Sequence, residues 1–137
     1  MKPNLVLMSH GNMAYETLQS AMMITGDIDG VYVVSMSVED DVTKITNKFI
    51  EILDTVKETP TIVVVDLYGG TPCNVASMQA IQKETVRIIT GLNLAMIIDY
   101  ALSQETNIDT LTAQLISTGK MAVQGILQDN DDCDIEE

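Results

Sequence analysis

One complete unit of the predicted fold lies in residues 61–74, Thr-Ile-Val-Val-Val-Asp-Leu-Tyr-Gly-Gly-Thr-Pro-Cys-Asn. The first five residues are apolar or β-branched, which is typical of a strand covered on both faces in a parallel sheet. Asp66 ends this strand, and the two glycines after it allow a tight turn. Pro72 suits the first position of a helix, because its missing N–H would have no partner there. The segment therefore predicts a strand, a turn and a helix in succession.

The same alternation of strand and helix continues on both sides of this segment. Short apolar runs predict three further strands, at residues 5–8, 31–34 and 86–89. Apolar residues at helical spacing follow these runs, at residues 14–22, 42–56, 94–102 and 108–116. This alternation favours an α/β sandwich of three layers with a mostly parallel central sheet, for which we predict the strand order 2-1-3-4. Residues 122–127 either prolong the last helix or form an edge strand.

The second helix has the clearest pattern in the chain. Charged residues occupy one face, and the apolar stripe on the other face consists of Val42, Ile45, Phe49, Ile52, Leu53 and Val56. We predict Ser37 as the N-cap of this helix, because Asp40 would then place a carboxylate in the first turn, near the positive end of the helix dipole.

Composition and charge indicate one acidic domain. The chain has 137 residues, of which seven are basic and twenty acidic, and its net charge is −13. Six of the acids lie in the last nine residues, so we predict a domain over residues 1–128 and a flexible acidic tail over residues 129–137. Without those six charges the domain still carries −7, which would repel nucleic acid and anionic membrane surfaces.

The sequence predicts no membrane span, no secretory signal and no disulfide framework. Its apolar runs are far shorter than the roughly 20 residues that cross a bilayer. Cys73 and Cys133 lie far apart, and a single histidine cannot complete a zinc site with them. We therefore expect a soluble, cytoplasmic protein, in which Cys73 is a small buried residue without a reactive role.

Polar residues follow three of the predicted strands, where open parallel sheets form their sites. The first exit is Ser9-His10-Gly11-Asn12, the second begins at Asp66, and the third is Thr90-Gly91-Leu92-Asn93. His10 is the only histidine in the chain. A neutral imidazole is a competent nucleophile towards phosphorus at neutral pH, and Gly11 would let a ligand approach closely. We therefore predict His10 as the reactive residue, with Gly11 against a phosphate.

Asp66, Gly69, Gly70 and Thr71 are predicted to complete this site. The carboxylate of Asp66 can accept the proton of one ring nitrogen of His10 and leave the other nitrogen free to attack. Free N–H groups at the start of the next helix, reached through the two glycines, would stabilise the negative charge of a phosphoryl group. The hydroxyl of Thr71 would add one more donor.

Three segments resemble the signatures of mannose-family IIA domains of the bacterial phosphotransferase system (PTS). They are Ser9-His10-Gly11, then Asp66 with Gly69-Gly70-Thr71-Pro72-Cys73-Asn74, and Thr90-Gly91-Leu92-Asn93-Leu94-Ala95-Met96. The similarity extends from about Asn4 to Ile126 and includes residues 118–123. Ala95 departs from the family pattern, in which proline is frequent. Thr71 replaces a more frequent serine and keeps its hydroxyl.

The resemblance implies a free-standing phosphocarrier subunit that needs no metal or other cofactor. His10 would take a phosphoryl group from the small protein HPr and pass it to a IIB subunit, and so serve the membrane components IIC and IID in sugar uptake. Asp66 would orient His10, and Thr71 with nearby amides would hold the phosphoryl oxygens. The resemblance also implies a homodimer that exchanges a C-terminal antiparallel strand, here about Val123 to Leu127.

Three other interpretations fit the sequence less well than this resemblance does. The phosphocarrier domain of a PTS-dependent dihydroxyacetone kinase shares the strand-end histidine, but the segment from Gly69 to Asn74 fits the sugar family better. A receiver-like signalling module would be phosphorylated on Asp66, yet its Mg²⁺ needs an acidic pair after the first strand, where this chain has Ser9 and His10. A flavin- or nucleotide-binding module would need a glycine fingerprint and stacking aromatic residues, which the sequence lacks.

Overall fold

The computed structural model describes residues 1–127, which form a central sheet between two layers of helices. In chain order the elements are β1 (Asn4–His10), α1 (Met13–Thr25), β2 (Val31–Met36), α2 (Val42–Val56), β3 (Thr61–Val65), α3 (Thr71–Ala80), β4 (Val86–Thr90), α4 (Leu94–Leu102) and α5 (Ile108–Met121). All four strands are parallel, and their order is β2-β1-β3-β4. The predicted fold class and strand order are therefore confirmed.

Both faces of the sheet are covered, which explains the continuous apolar runs of the central strands. Successive side chains of a strand point to opposite faces. Leu5 and Leu7 of β1 accordingly pack with α1, α4 and α5, whereas Val6 and Met8 pack with α2 and α3. Full burial of one such side chain stabilises the fold by about 1.5–3 kcal/mol. The two apolar cores therefore fix β1 and β3 at the centre of the molecule.

The strand order reverses between β1 and β3. After β1 the chain passes through α1 to β2 on one side, and after β3 it passes through α3 to β4 on the other. Helix α1 packs against α4 on one face of the sheet, and α3 packs against α2 on the opposite face. The two chain exits diverge here, which leaves a crevice beyond the carboxyl ends of β1 and β3.

The start of α2 differs from the sequence prediction. Asp41 is the N-cap, because its side chain accepts a hydrogen bond from the N–H of Lys44 at 2.8 Å. Asp40 instead turns back and accepts the N–H of Ser37 at 2.8 Å, which lowers the pKa of Asp40. The prediction of Ser37 as N-cap was therefore wrong. Val42, in the first turn, is exposed, whereas the rest of the predicted stripe is buried or partly buried.

Helix α5 ends at Met121, so residues 122–127 do not prolong it. Residues 123–127 form neither helix nor strand in the single chain, and their side chains are exposed. The exchanged strand therefore stays a prediction. The predicted tail over residues 129–137, which includes Cys133, lies outside the described residues. No helix within residues 1–127 is both long enough and apolar enough to cross a bilayer.

Candidate active site

His10 is the last residue of β1 and lies at the carboxyl edge of the sheet. The five residues before it are buried, whereas the side chain of His10 is 46% exposed. The chain turns directly afterwards, at Gly11, whose φ of 57° is in the left-handed region that glycine tolerates best. The N–H of Gly11 donates to the carbonyl of Met36 at 2.6 Å. The imidazole is therefore held at the exit of a central strand and remains open to solvent.

Asp66 follows β3, the neighbour of β1, and contacts His10 twice. Its Oδ2 accepts the backbone N–H of His10 at 2.9 Å and lies 2.8 Å from Nδ1 of the ring. A carboxylate can only accept, so this contact assigns the ring proton to Nδ1 and leaves the lone pair of Nε2 free. The side chain of Asp66 is 10% exposed, so water screens the contact weakly.

The second carboxylate oxygen of Asp66 lacks a hydrogen-bond partner among the described residues. Oδ1 is buried and has no hydrogen-bond partner within residues 1–127. Buried polar atoms are nearly always paired, and the exceptions tend to lie where a structure stores strain or performs chemistry. Within the described residues, this carboxylate therefore forms hydrogen bonds only through Oδ2, and both of them are with His10.

Gly70 lies against the imidazole of His10. A Cβ on Gly70 would be 2.8 Å from Cε1 and 3.5 Å from Nε2 of that ring. The φ of Gly70 is −75°, which any residue can adopt, so glycine is required here for space and not for conformation. The edge of the ring that carries Nε2 consequently lies beside the start of α3.

The start of α3 offers unpaired donors beside the ring. The N–H groups of Thr71 and Cys73 donate to no acceptor within the described part of the chain, and Pro72 between them has no N–H. First-turn amides form the positive end of a helix dipole, which favours an anion. The side chain of Asn74 donates to the carbonyl of Gly69 at 3.3 Å and so braces the turn. This arrangement can receive the charge of a phosphoryl group.

The structure brings four of the predicted site residues together, His10, Asp66, Gly70 and Thr71. The amides of Gly11 and Gly70 already donate to Met36 and Leu67, so these two glycines contribute shape and not free donors. Gly69, with a φ of 84°, forms the turn before α3. Cys73 is buried, as predicted.

Within residues 1–127, no hydrogen bond joins the third strand exit to this site. Asn93 accepts the N–H of Met96 at 3.0 Å as the N-cap of α4, and its amide donates to the carbonyl of Gly119 at 3.0 Å. A Cβ on Gly119 would lie 2.7 Å from Cε of Met96 and 3.3 Å from Nδ2 of Asn93, so glycine at this position lets α5 approach α4 closely. The motif after β4 therefore holds α4 and α5 together.

Ser9 makes contacts that its place in the His-Gly motif does not predict. Its side chain is buried, and Oγ accepts the N–H of Ala14 at 2.8 Å. Asn12, at the N-cap position of α1, makes no side-chain cap. A hydroxyl at the end of an otherwise apolar strand was the available signal, because a buried hydroxyl needs a partner.

Comparison with known proteins identifies the class of protein that this fold and site define. The family model described as "PTS system fructose IIA component" matches residues 4–116. The chain therefore belongs to this family and is a IIA component of the mannose and sorbose type of the phosphotransferase system. This confirms the resemblance read from the sequence, and the receiver-like and flavin-binding interpretations do not fit it.

Individual relatives agree with this assignment. The mannose/sorbose-specific IIA subunit from Enterococcus faecalis superposes with a TM-score of 0.90 at 45% identity, over 95% of this chain and 98% of that one. The mannose-specific EIIAB component of Escherichia coli strain K12 is 27% identical over 127 residues, which cover 89% of this chain and 39% of that protein. The sorbose-specific EIIA component of Lacticaseibacillus casei is 21% identical over 99 residues, 72% of each chain. The chain thus spans well under half of the Escherichia coli relative.

Proposed function

We propose that this chain is a cytoplasmic phosphocarrier that accepts a phosphoryl group from phospho-HPr on Nε2 of His10 and passes it to a IIB partner during sugar uptake. One observation carries the proposal: Asp66 holds Nδ1 of His10 at 2.8 Å, and the Nε2 edge of the same ring lies beside Gly70 at the start of α3. A nucleophile, its orienting group and an anion site thus lie together in a crevice open to a protein partner.

The chemistry of the transfer follows from these positions. The lone pair of Nε2 attacks phosphorus, a new N–P bond forms, and the bond to the donor breaks with its electron pair left on the donor. The ring of His10 gains positive character, which the carboxylate of Asp66 offsets. The unpaired amides of Thr71 and Cys73 can donate to the phosphoryl oxygens, and the Thr71 hydroxyl is a further donor.

Onward transfer reverses the same step. The phosphohistidine is already an activated donor, so a nucleophile of a IIB domain can take the phosphoryl group without a metal or other cofactor. The relative from Escherichia coli is named an EIIAB component, and the matched part covers 39% of its length. We therefore propose a IIB partner for this chain, and the membrane components IIC and IID as indirect ones.

We also propose a homodimer that exchanges the C-terminal segment. Val123, Ile126 and Leu127 are apolar and exposed in the single chain, and β4 is an edge strand that pairs only with β3 among the described residues. Pairing of segment 123–127 with β4 of a second copy would bury both. Sedimentation velocity of the full chain, and of a chain in which Val123, Ile126 and Leu127 are replaced by Ser, tests this: we expect a dimer for the first and a monomer for the second.

The phosphocarrier function is tested by intact mass. The purified chain is incubated with enzyme I, HPr and phosphoenolpyruvate, beside a IIA protein known to be labelled by the same mixture. We expect a gain of one acid-labile phosphoryl group in the wild type and none in His10→Ala. A wild type that stays unlabelled beside a labelled control contradicts the proposed function, and a labelled His10→Ala variant moves the site elsewhere.

A further inference from the structure

The hydroxyl of Ser9 is enclosed at the end of β1, directly before the reactive residue. Ser9 and Thr61 are the two fully buried polar residues within residues 1–127. A buried hydroxyl without partners costs about 1–3 kcal/mol. The Oγ of Ser9 avoids this cost, because it accepts the N–H of Ala14 at 2.8 Å and donates to the carbonyl of Gly11 at 3.3 Å. Both capacities of the hydroxyl are thus used.

These two bonds span the turn that carries His10. Ala14 lies in the first turn of α1, so Ser9 supplies the cap that Asn12 does not make. Gly11, on the other side of His10, is held at its left-handed φ of 57° by the bond from Ser9 and by its own N–H bond to Met36. The residues before and after His10 are therefore tied to each other and to the neighbouring helix.

We propose that Ser9 is a positioning residue for phosphoryl transfer: its hydroxyl fixes the backbone of the turn and thereby the place of Nε2 of His10 beside α3. The proposal rests on the function proposed above. Asp66 sets the rotation of the ring, but Asp66 contacts the backbone N–H of His10 as well, so the ring and the turn move together. Without the bond from Ser9, the carbonyl of Gly11 and the N–H of Ala14 lose their partner, and the turn can shift by fractions of an ångström.

A shift of that size has a large effect on transfer and a small effect on binding. A displacement of about 1 Å in reacting groups can lower a rate by about 100-fold. A docking surface for phospho-HPr would involve about 20–30 residues, as protein interfaces usually do, so the affinity for phospho-HPr should change little. If Ser9 merely capped the helix, its replacement would instead lower the stability of the protein and leave the rate of transfer unchanged.

The test measures kcat and KM for phosphoryl transfer from phospho-HPr in wild type, Ser9→Ala and Ser9→Thr, with Thr61→Val as the matched control. Thr61 is equally buried, and its hydroxyl donates to the carbonyl of Thr59 at 2.9 Å, at the opposite end of the sheet. We expect Ser9→Ala to lower kcat by about 10- to 100-fold with KM nearly unchanged. Ser9→Thr, which keeps the hydroxyl, should recover most of kcat. Thr61→Val should lose stability without a loss of kcat.

A second readout does not depend on transfer. In the wild type, the ¹⁵N resonances of the single imidazole should be sharp and should show the proton on Nδ1, where Asp66 accepts it. In Ser9→Ala the same resonances should shift and broaden, because the turn and the ring no longer hold one position. If the alanine variant does not fold, Ser9→Cys, which fills the same space with a weak hydrogen-bonding group, should show the same loss of kcat and the same change in the resonances. A Ser9→Ala or Ser9→Cys variant with wild-type kcat and wild-type imidazole resonances overturns the proposal. A wild type that is not phosphorylated contradicts the proposed function instead, and the imidazole resonances still decide whether Ser9 positions the ring.

Discussion

Oδ2 of Asp66 accepts the backbone N–H of His10 at 2.9 Å and lies 2.8 Å from Nδ1 of the same residue. One oxygen atom therefore fixes both the main chain and the ring of the proposed nucleophile. The other oxygen, Oδ1, is buried without a partner within residues 1–127. A change at Asp66 should consequently affect transfer far more than it affects the fold.

Replacement of Asp66 by Asn should lower the rate of phosphoryl transfer by about 100-fold or more. The amide oxygen can still accept both N–H groups of His10, but it has no charge to offset the positive character of the ring as Nε2 bonds phosphorus. The initial rate of labelling from phospho-HPr measures the effect. Asp109→Asn is the matched control, because Asp109 pairs with Arg87 at 2.8 Å on the exposed surface. Equal rates for Asp66→Asn and Asp109→Asn would show that Asp66 does not assist transfer.

Replacement of Gly70 by Ala should displace the imidazole. The new Cβ would lie 2.8 Å from Cε1 of His10, and the φ of −75° allows alanine without backbone strain. We therefore expect a transfer rate that falls by about tenfold or more, while the denaturation midpoint changes little. A Gly70→Ala variant as active as the wild type would mean that the ring tolerates the displacement.

Asn93 should matter for stability and not for phosphoryl transfer. It caps α4 and also bonds α5 through the carbonyl of Gly119, whereas Asn107 only caps α5. Asn93→Ala should lower the free energy of unfolding by about 2 kcal/mol, and Asn107→Ala by about 1 kcal/mol. Urea denaturation measures both values. If the Asn93→Ala protein folded but was no longer phosphorylated, Asn93 would have a role in phosphoryl transfer that its hydrogen bonds to Met96 and Gly119 do not indicate.

Tyr100 should make stability depend on pH in the alkaline range. Its hydroxyl donates to the carbonyl of Pro3 at 2.6 Å, and burial raises the pKa of Tyr100 to about 12. The unfolded chain ionises near the ordinary value of 10.0, so the stabilisation is complete below that pH and is lost as the pH rises towards 12. The difference in unfolding free energy between wild type and Tyr100→Phe, measured in urea from pH 8 to pH 11, should therefore shrink above pH 10. A constant difference would contradict the raised pKa.

Most of the fold was readable from the sequence, because both faces of the sheet are buried. Continuous β-branched apolar runs such as residues 61–65 favour covered strands, and the helices between the strands have apolar faces. The start of α2 differs from the prediction because two adjacent acids compete there. The side chain of Asp41 caps the helix, whereas the side chain of Asp40 accepts the N–H of Ser37, and the sequence pattern does not decide between them.

Residue type and strand position were enough to predict part of the site from the sequence. Because β1 and β3 are parallel neighbours, His10 and Asp66 lie at the same edge of the sheet, so their contact could be expected from the strand order alone. The contact of Gly70 with the imidazole and the two bonds of Ser9 could not, because they depend on how the turns after β1 and β3 are folded. Likewise, the sequence could not show that the amide of Gly11 is already paired with Met36.

The bond between phosphorus and one ring nitrogen tests the central claim most directly. His10 is the only histidine of the 137 residues, so a chain labelled with ¹⁵N in histidine gives a single imidazole. After phosphorylation by enzyme I, HPr and phosphoenolpyruvate, we expect the coupling to ³¹P at Nε2 and a proton at Nδ1, where Asp66 accepts it. A phosphoryl group on Nδ1, or one that leaves both ring nitrogens of His10 unchanged, would contradict the account.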